Sequence, residues 1–390
     1  MHSRIIEDQN IRFLHASDIH LGTKILQNTA LYEDYTNALK AILDACVQFE
    51  ARFLILGGDV FTGLEMLPKT FGSIVDVLRN FQTATQSQIP IIAIEGNHDL
   101  RRFGYGTRLP YRYSWVRVLA SMGLLILLDG INDQNEISWA EGASPSSIGG
   151  GRYQLGNIVF YGTRYLGEQP QLRFPKMINA LPSDKGCFRI LLQHFGIDGT
   201  MDGVPGVPLE AVQILRPHFD YLALGHFHQQ FRCQNWIFNP GSPITVSSNE
   251  YSLPRGVFFV ELECPLEQKP RIRTVQSLRI PERKWCVETI TLPSKIKTHE
   301  QLRDYIARSL GTKFPQTFDQ KVTPTLARPL LQIHLSGQEP IQWNQKSLKF
   351  QLQTMLSVAS LQIIPHFSSK TRPLDRSEER RVGKECRSRW

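Results

Sequence analysis

Asp18-Ile19-His20, Gly58-Asp59, Gly96-Asn97-His98-Asp99, Gln193-His194 and Gly225-His226-Phe227-His228 carry three Asp, one Asn and five His between them. Imidazole, carboxylate and amide groups without a thiolate among them suit Mn, Fe or Zn. Two such cations about 3.5–4 Å apart polarise a phosphoryl group, activate a water and neutralise a leaving oxygen. Taken singly, each cluster is weak evidence. An Asp-x-His is most often a surface accident, a lone Gly-Asp carries no signal, and a histidine on an apolar run is usually a satisfied core residue. Taken together they are informative, because each stands where an apolar run ends, and the inventory reads as a dinuclear metal site.

The runs before the clusters cover residues 11–14, 53–56, 91–94, 190–192 and 221–224. Short, bounded apolar runs read as buried strands. In an open α/β sheet, chemistry collects outside the carboxyl ends of the strands, so the five clusters should converge on one rim. Glycines 58, 96 and 225 suit tight turns at strand ends, where residues tolerant of unusual φ are needed. Residues 31–49 carry apolar side chains at 35, 38, 39, 42, 43 and 46, a helical stripe, and further helices are expected at about 70–81 and 112–122. Strands at 11–16, 53–57, 91–95 and 124–128 alternate with them, which argues for a mainly parallel sheet flanked by helices. After a loop at 141–151, strands are expected at 157–162, 188–193, 221–224, 236–239, 256–263 and 271–277, with few helices between them. A second sheet facing the first gives a two-sheet α/β sandwich. From about Pro281 the pattern restarts, with strands at 285–292, 330–335 and 361–365 and helices at 298–309 (Thr298 as N-cap) and 345–358. The domains are therefore 1–280, and a small α/β cap at 281–375. The last residues, 376–390 (RSEERRVGKECRSRW), lack apolar periodicity and resemble translated adapter sequence, so they are set apart from the fold.

The order Asp-x-His, Gly-Asp, Gly-Asn-His-Asp, His, Gly-His-x-His is similar to the signature of the calcineurin-like metallophosphoesterases. Within them, residues 13–263 resemble the SbcD-type nucleases of DNA double-strand-break repair. The supporting stretches run from Phe13 to Gly22 (FLHASDIHLG), from Tyr221 to His226 (YLALGH), and through Asn239-Pro240-Gly241-Ser242. The resemblance implies a two-sheet sandwich core flanked by helices, and a pair of divalent cations, Mn²⁺ by expectation. It places Asp18, His20, Asp59 and His228 on one cation and Asp59, Asn97, His194 and His226 on the other, with Asp59 as the bridge. His98 lies off the metals as the catalytic residue, free to touch the scissile phosphate, and Asp99 holds a turn or a ligand in place. Where many members carry Asp or His three residues beyond the bridging aspartate, this chain has Thr62. A hydroxyl supplies no charge to support an imidazolium. The implied partners are DNA, a coiled-coil SMC-like ATPase (SbcC-type) and a second copy of the chain, paired through the helices near 70–81 and 112–122. SbcD-type nucleases often continue past the cap into a segment that docks on the ATPase, and here the natural sequence is read as stopping near Asp375.

Other groups have plainer readings. His15 lies inside the first strand and is expected in the core, and His218, His299, His334 and His366 are read as structural or solvated. Arg101 and Arg102 follow Asp99 closely and could steer a phosphate backbone toward the metals. Phe103, Tyr105, Tyr111, Tyr113 and Trp115 could stack on unpaired bases, although packing of the helix that follows explains them as well. The formal charge is +8, and without residues 376–390 it is 38 basic against 33 acidic residues, or +5. That is compatible with a phosphate-backbone partner. No apolar stretch approaches the roughly 20 residues of a membrane helix, and the first residues lack a secretory signal, which points to the cytoplasm and no membrane. Cys46, Cys187, Cys233, Cys264, Cys286 and Cys386 have no CxxC spacing and are expected as buried free thiols. The functional expectation is a Mn-dependent DNA nuclease, exonucleolytic on duplex ends with single-strand endonuclease activity beside it. Its alternatives are a small-substrate phosphodiesterase or phosphatase on the same scaffold, and a non-catalytic docking scaffold for the ATPase. All the site residues are present, which argues against the last.

Overall fold

Apolar runs buried on both faces become parallel strands here, because helices return the chain to the same end of the sheet. The computed structural model describes residues 10–24, 28, 31–100, 114–140, 150–184, 186–265, 268–314, 327–340 and 342–367. The chain divides into two compact units, Met1–Glu282 and Arg283–Trp390.

The first unit opens with β1 (Ile11–Ala16), α1 (Tyr32–Gln48), β2 (Phe53–Leu56), α2 (Pro68–Ala84), β3 (Ile91–Ala93), α3 (Trp115–Ser121) and β4 (Ile126–Leu127). It continues with β5 (Arg152–Leu155), β6 (Ile158–Gly162), α4 (Phe174–Asn179), β7 (Phe188–His194), α5 (Leu209–Gln213) and β8 (Tyr221–Gly225). The short β9 (Phe231–Cys233) and β10 (Ile237–Asn239) precede the long hairpin of β11 (Val257–Glu263) and β12 (Arg271–Leu278). Two six-stranded mixed sheets result, in the orders β12-β11-β1-β2-β3-β4 and β5-β6-β7-β8-β10-β9. The strands from β1 to β4 run parallel to one another, as do β6, β7 and β8. One apolar core joins the sheets face to face: Phe13, Phe53 and Ile92 of the first pack with Phe160, Phe188 and Tyr221 of the second. Each such side chain, fully buried, contributes roughly 1.5–3 kcal/mol. A second core under α4 and α5 covers the outer face of the second sheet, through Phe174, Met177 and Val212 against Tyr161, Leu191 and Leu222.

In the second unit β13 (Trp285–Leu292), β14 (Leu330–Gly337) and β15 (Ser360–Phe367) form a parallel sheet in that order. The helices α6 (His299–Gly311) and α7 (Gln345–Met355) pack on it through Leu302, Ile306, Leu348 and Leu352. Thr298 caps α6 with a reciprocal bond to Gln301, a full capping box.

Several sequence expectations shift. The strand expected at 91–95 ends at Ala93, because Glu95 turns inward to meet Arg117, and the one expected at 124–128 is ordered as strand only at Ile126–Leu127. The helix expected at 345–358 stops at Met355, and the last strand runs on to Phe367. Strands β5 and β9 have no counterpart in the sequence pattern; both edge the second sheet, where half-exposed side chains blur the apolar signal. Among the described residues the cysteines are free, yet only Cys46 is buried and the other four are half-buried. No helix among the described residues is long and apolar enough to cross a membrane.

A buried charge cluster braces the strand end that carries Asn97. Glu95 accepts from Ser114 Oγ and from Arg117 at 3.0 and 2.6 Å. Arg117 also donates to Asp129, which accepts from Arg164 at 2.8 Å. Burial holds the Glu95 carboxyl above its ordinary range even with Arg117 pulling it down. Replacing Arg117 with Met strands this carboxylate, a change that costs about 3–5 kcal/mol for buried pairs. The lower end is expected, since Arg164 still faces Asp129, and urea denaturation of Arg117→Met measures it.

Candidate metal centre

All five polar clusters leave the carboxyl ends of parallel strands: β1, β2 and β3 in the first sheet, β7 and β8 in the second. The main chain then stitches them together. Asp18 N–H donates to Gly58 O at 3.0 Å and His20 N–H to Asp59 O at 3.1 Å. His98 N–H donates to Asp59 Oδ1 at 2.7 Å, and His226 N–H lies 3.1 Å from both Asp18 oxygens. Asp99 points away from the rim. Its carboxylate accepts from the N–H groups of Gly96, Val60 and Phe61 at 2.9, 3.2 and 2.9 Å, locking the Asn97 turn onto the Asp59 turn.

The unusual backbone angles fall mostly on the chemical residues themselves. Asp18, His20, Asp59 and His226 have φ of 51°, 53°, 48° and 93°, a region that costs a non-glycine residue energy. Of the three glycines expected to need such angles, only Gly58 does, at 97°. Gly96 serves a different purpose, because a Cβ there would stand 2.2 Å from Asp59 Oδ1. Gly225 likewise makes room, in its case for the Gly57 carbonyl.

The side chains converge. His20 Nε2 and His228 Nε2 face each other across 3.0 Å, with Asp18 Oδ1 4.0 Å from His228 Nε2. Asp59 Oδ2 lies 3.9 Å from His20 Nε2, 3.9 Å from His98 Nε2 and 3.3 Å from His194 Nε2. Asn97 Oδ1 meets both His194 Nε2, at 3.1 Å, and His226 Nδ1, at 3.0 Å. Three donor groups each bring their atoms within 4.8 Å: Asp18, His20 and His228; His20, Asp59 and His98; Asp18, Asp59 and His194.

This donor set fits cations. His194 Nδ1 is committed to Gly57 O at 2.8 Å and His228 Nδ1 to Glu250 at 2.9 Å, so each ring carries its proton there and turns the Nε2 lone pair inward. His194 Nε2 then faces two acceptor oxygens, and His228 Nε2 faces another ring nitrogen. Lone pairs so placed repel unless a proton or a metal lies between them. His20 Nδ1 is buried without a hydrogen-bond partner among the described residues.

The acid–base properties show the same demand for positive charge. Burial disfavours the charged form of His194, yet Asp59 and Asp18 raise it to about 9. Burial pushes the Asp18 carboxyl up to about 6 against His194 and His228. Burial acts on Asp59 likewise, but His194, His20 and His98 hold it well below the usual carboxylate range. His226 falls to about 3 through burial and the neighbouring His194, and His20 is lowered by burial and by His228.

The structure therefore brings together Asp18, His20, Asp59, Asn97, His98, His194, His226 and His228. His15 stays apart in the core, its ring nitrogens 3.0 Å from Tyr221 Oη and Leu224 O, and burial keeps it neutral with a pKa of about 3. Trp115 packs on Phe71 and donates to Leu64 O, so its ring serves the fold. Arg101, Arg102, Phe103, Tyr105, Tyr111, Tyr113 and residues 376–390 lie outside the described residues. Three features had no sequence signal. Thr62 supports His98 through its main-chain carbonyl, 3.2 Å from Nδ1. Glu250 orients His228 from a turn beyond β10. Tyr165 sets its ring 6.0 Å from the rings of both His194 and His226.

Comparison with known proteins places these residues in context. The calcineurin-like phosphoesterase family matches residues 11–230. The chain is similar to the DNA double-strand break repair protein Mre11 of Archaeoglobus fulgidus, 27% identical over 56% of this chain and 46% of that one. It is also similar to the SbcD component of the nuclease SbcCD from Staphylococcus epidermidis, 25% identical over 65% of this chain and 66% of that one. The match thus spans about half of the first relative and about two thirds of the second. Among solved structures, a dimetal phosphatase from Danio rerio aligns with a TM-score of 0.38 at 13% identity, over 70% of this chain and 99% of that one.

Proposed function

Since the chain belongs to the calcineurin-like phosphoesterase family, we propose that it is a Mn²⁺-dependent DNA nuclease of double-strand-break repair, cutting phosphodiesters at a two-cation site. The observation that carries the reading is the convergence of seven ligand-type side chains and His98 on one rim, with ring nitrogens turned inward against one another. Asp18, His20, Asp59 and His228 would hold one cation, and Asp59, Asn97, His194 and His226 the other. When bound, the pair supplies charge to polarise the phosphoryl group and to activate a water. Oxygen and imidazole donors favour Mn²⁺ among the candidates but also accept Fe and Zn.

The remaining work falls to the protein. Asp59 sits between the two ligand sets, where a single carboxylate can serve both. His98 is fixed at the edge by its own N–H on Asp59 and by Thr62 O on its ring, so its Nε2 is presented toward the same space. There it is placed to hydrogen-bond a non-bridging oxygen or to protonate a leaving 3′-oxygen. DNA as substrate and a coiled-coil ATPase as partner are supported by the likeness to Mre11 and to the SbcCD component. A homodimer through α2 and α3 is part of the reading, supported by exposed Leu67, Val118 and Met122 on and beside those helices.

The test is a digestion of linear duplex DNA in Mn²⁺, run beside a small chromogenic phosphodiester. Progressive shortening of the DNA is expected, with the small ester turned over slowly. Rapid hydrolysis of the ester while the DNA stays intact would replace the nuclease by a small-substrate phosphodiesterase.

A further inference from the structure

His194 and His228 are each oriented by an acceptor on Nδ1, but the two acceptors differ in kind. For His194 it is the main-chain carbonyl of Gly57, and for His228 it is the side chain of Glu250, with Oε2 2.9 Å from Nδ1. A side-chain acceptor can be tuned by mutation, and a main-chain one cannot. We propose that Glu250 is a positioning residue that fixes the ring and tautomer of His228, and thereby sets the affinity of the half-site of Asp18, His20 and His228 for a divalent transition cation, an inference that rests on reading this cluster as a metal centre.

Glu250 is built into place. It ends a short 3-10 turn, Ser248–Glu250, with its N–H on Ser247 O at 3.1 Å and its carbonyl accepting from Leu253 N–H at 2.9 Å. The same segment returns to the histidine loop, where Gln230 N–H donates to Pro254 O at 2.7 Å. Its carboxylate is only 16% exposed, so the contact with His228 is shielded from bulk water. Arg255 is buried nearby, its Nη1 3.4 Å from Ser242 Oγ and its Nη2 without a hydrogen-bond partner among the described residues. His228 and that cation together hold Glu250 in its ionised form against burial. An ionised carboxylate on Nδ1–H does two things for the opposite nitrogen. It leaves the Nε2 lone pair available, and it makes that nitrogen a stronger donor to a metal. It also stops the ring from flipping, which would carry Nε2 away from His20 Nε2, now 3.0 Å distant.

Loss of such a supporting group typically weakens metal binding about 10–100-fold. The probe is Mn²⁺ alone, titrated into the metal-free full chain, with unbound Mn²⁺ counted by its electron paramagnetic resonance signal. Wild type is expected to bind two equivalents. Glu250→Gln, close in shape and still able to offer an oxygen, should weaken one of the two sites about 10-fold, and Glu250→Ala nearer 100-fold. The second site should keep its affinity in both variants, since its ring is held by Gly57 O. Wild-type affinity at both sites in Glu250→Gln overturns the assignment, and that variant decides the matter alone if Glu250→Ala does not fold. Equal weakening of both sites with a lower melting temperature of the metal-free protein also overturns it, because that outcome marks a purely structural residue. Wild type that takes up no Mn²⁺ refutes the metal centre itself, a result distinct from either.

Discussion

Asp59→Asn is expected to lose at least one of two bound cations and to reduce hydrolysis of any substrate by roughly three orders of magnitude or more, as befits a site whose cations supply most of the charge stabilisation. The carboxylate lies within 3.9 Å of the Nε2 atoms of His20 and His98 and 3.3 Å from that of His194, drawn from different strand ends. No other carboxylate among the described residues faces so many of the proposed ligands. Its Oδ1 meanwhile anchors His98 N–H at 2.7 Å. An amide keeps the shape and one acceptor oxygen, yet it carries no charge to share between two cations or to offset His194. Backbone damage should be small, since the packing volume is conserved. Metal analysis of the purified variant, with wild type beside it, measures the effect. Two full equivalents in Asp59→Asn would show that the bridge lies elsewhere.

The convergence of the clusters was legible because each apolar run is a strand buried on both faces and each polar cluster begins where that strand stops. Phe53–Leu56 followed by Gly57-Gly58-Asp59 is the clearest instance. What stayed hidden shares a physical cause: it depends on atoms or distances without a residue signature. The acceptor behind His98 is the carbonyl of Thr62, and a main-chain carbonyl looks the same at every position. The residue type at position 62 speaks only for its hydroxyl, and so gives no sign of the acceptor that is present. Glu250 stands 22 residues beyond His228, in a Ser- and Asn-rich stretch with no apolar run to announce it. The strain at Asp18, His20, Asp59 and His226 was equally invisible, because φ is imposed by neighbouring strands and not by residue type. Glycine reasoning located the crowded turns but misjudged the reason at Gly96 and Gly225, where room and not backbone freedom is required.

His98→Ala should separate cation binding from chemistry. Both cations and DNA binding are expected to survive, while cleavage falls by about 10²–10³-fold, the lower part of the range for a positioned proton donor. The ring is placed for this role and not for ligation. Its Nδ1 is engaged with Thr62 O at 3.2 Å, and its Nε2 stays 3.9 Å from Asp59, whereas His194 Nε2 comes within 3.3 Å. Its side chain is 22% exposed, which leaves it open to an incoming phosphate, while His194 is fully covered. With Nδ1–H donating to a carbonyl, Nε2 is the nitrogen that must carry the transferable proton. A carbonyl steadies that arrangement but brings no full negative charge, so the imidazolium is supported less than a carboxylate would support it, which is the reason for the modest factor. Single-turnover cleavage of duplex DNA in saturating Mn²⁺, with metal content measured on the same sample, reads both quantities. A variant that arrives short of one metal and regains its rate in excess Mn²⁺ would make His98 a ligand and remove its role in proton transfer.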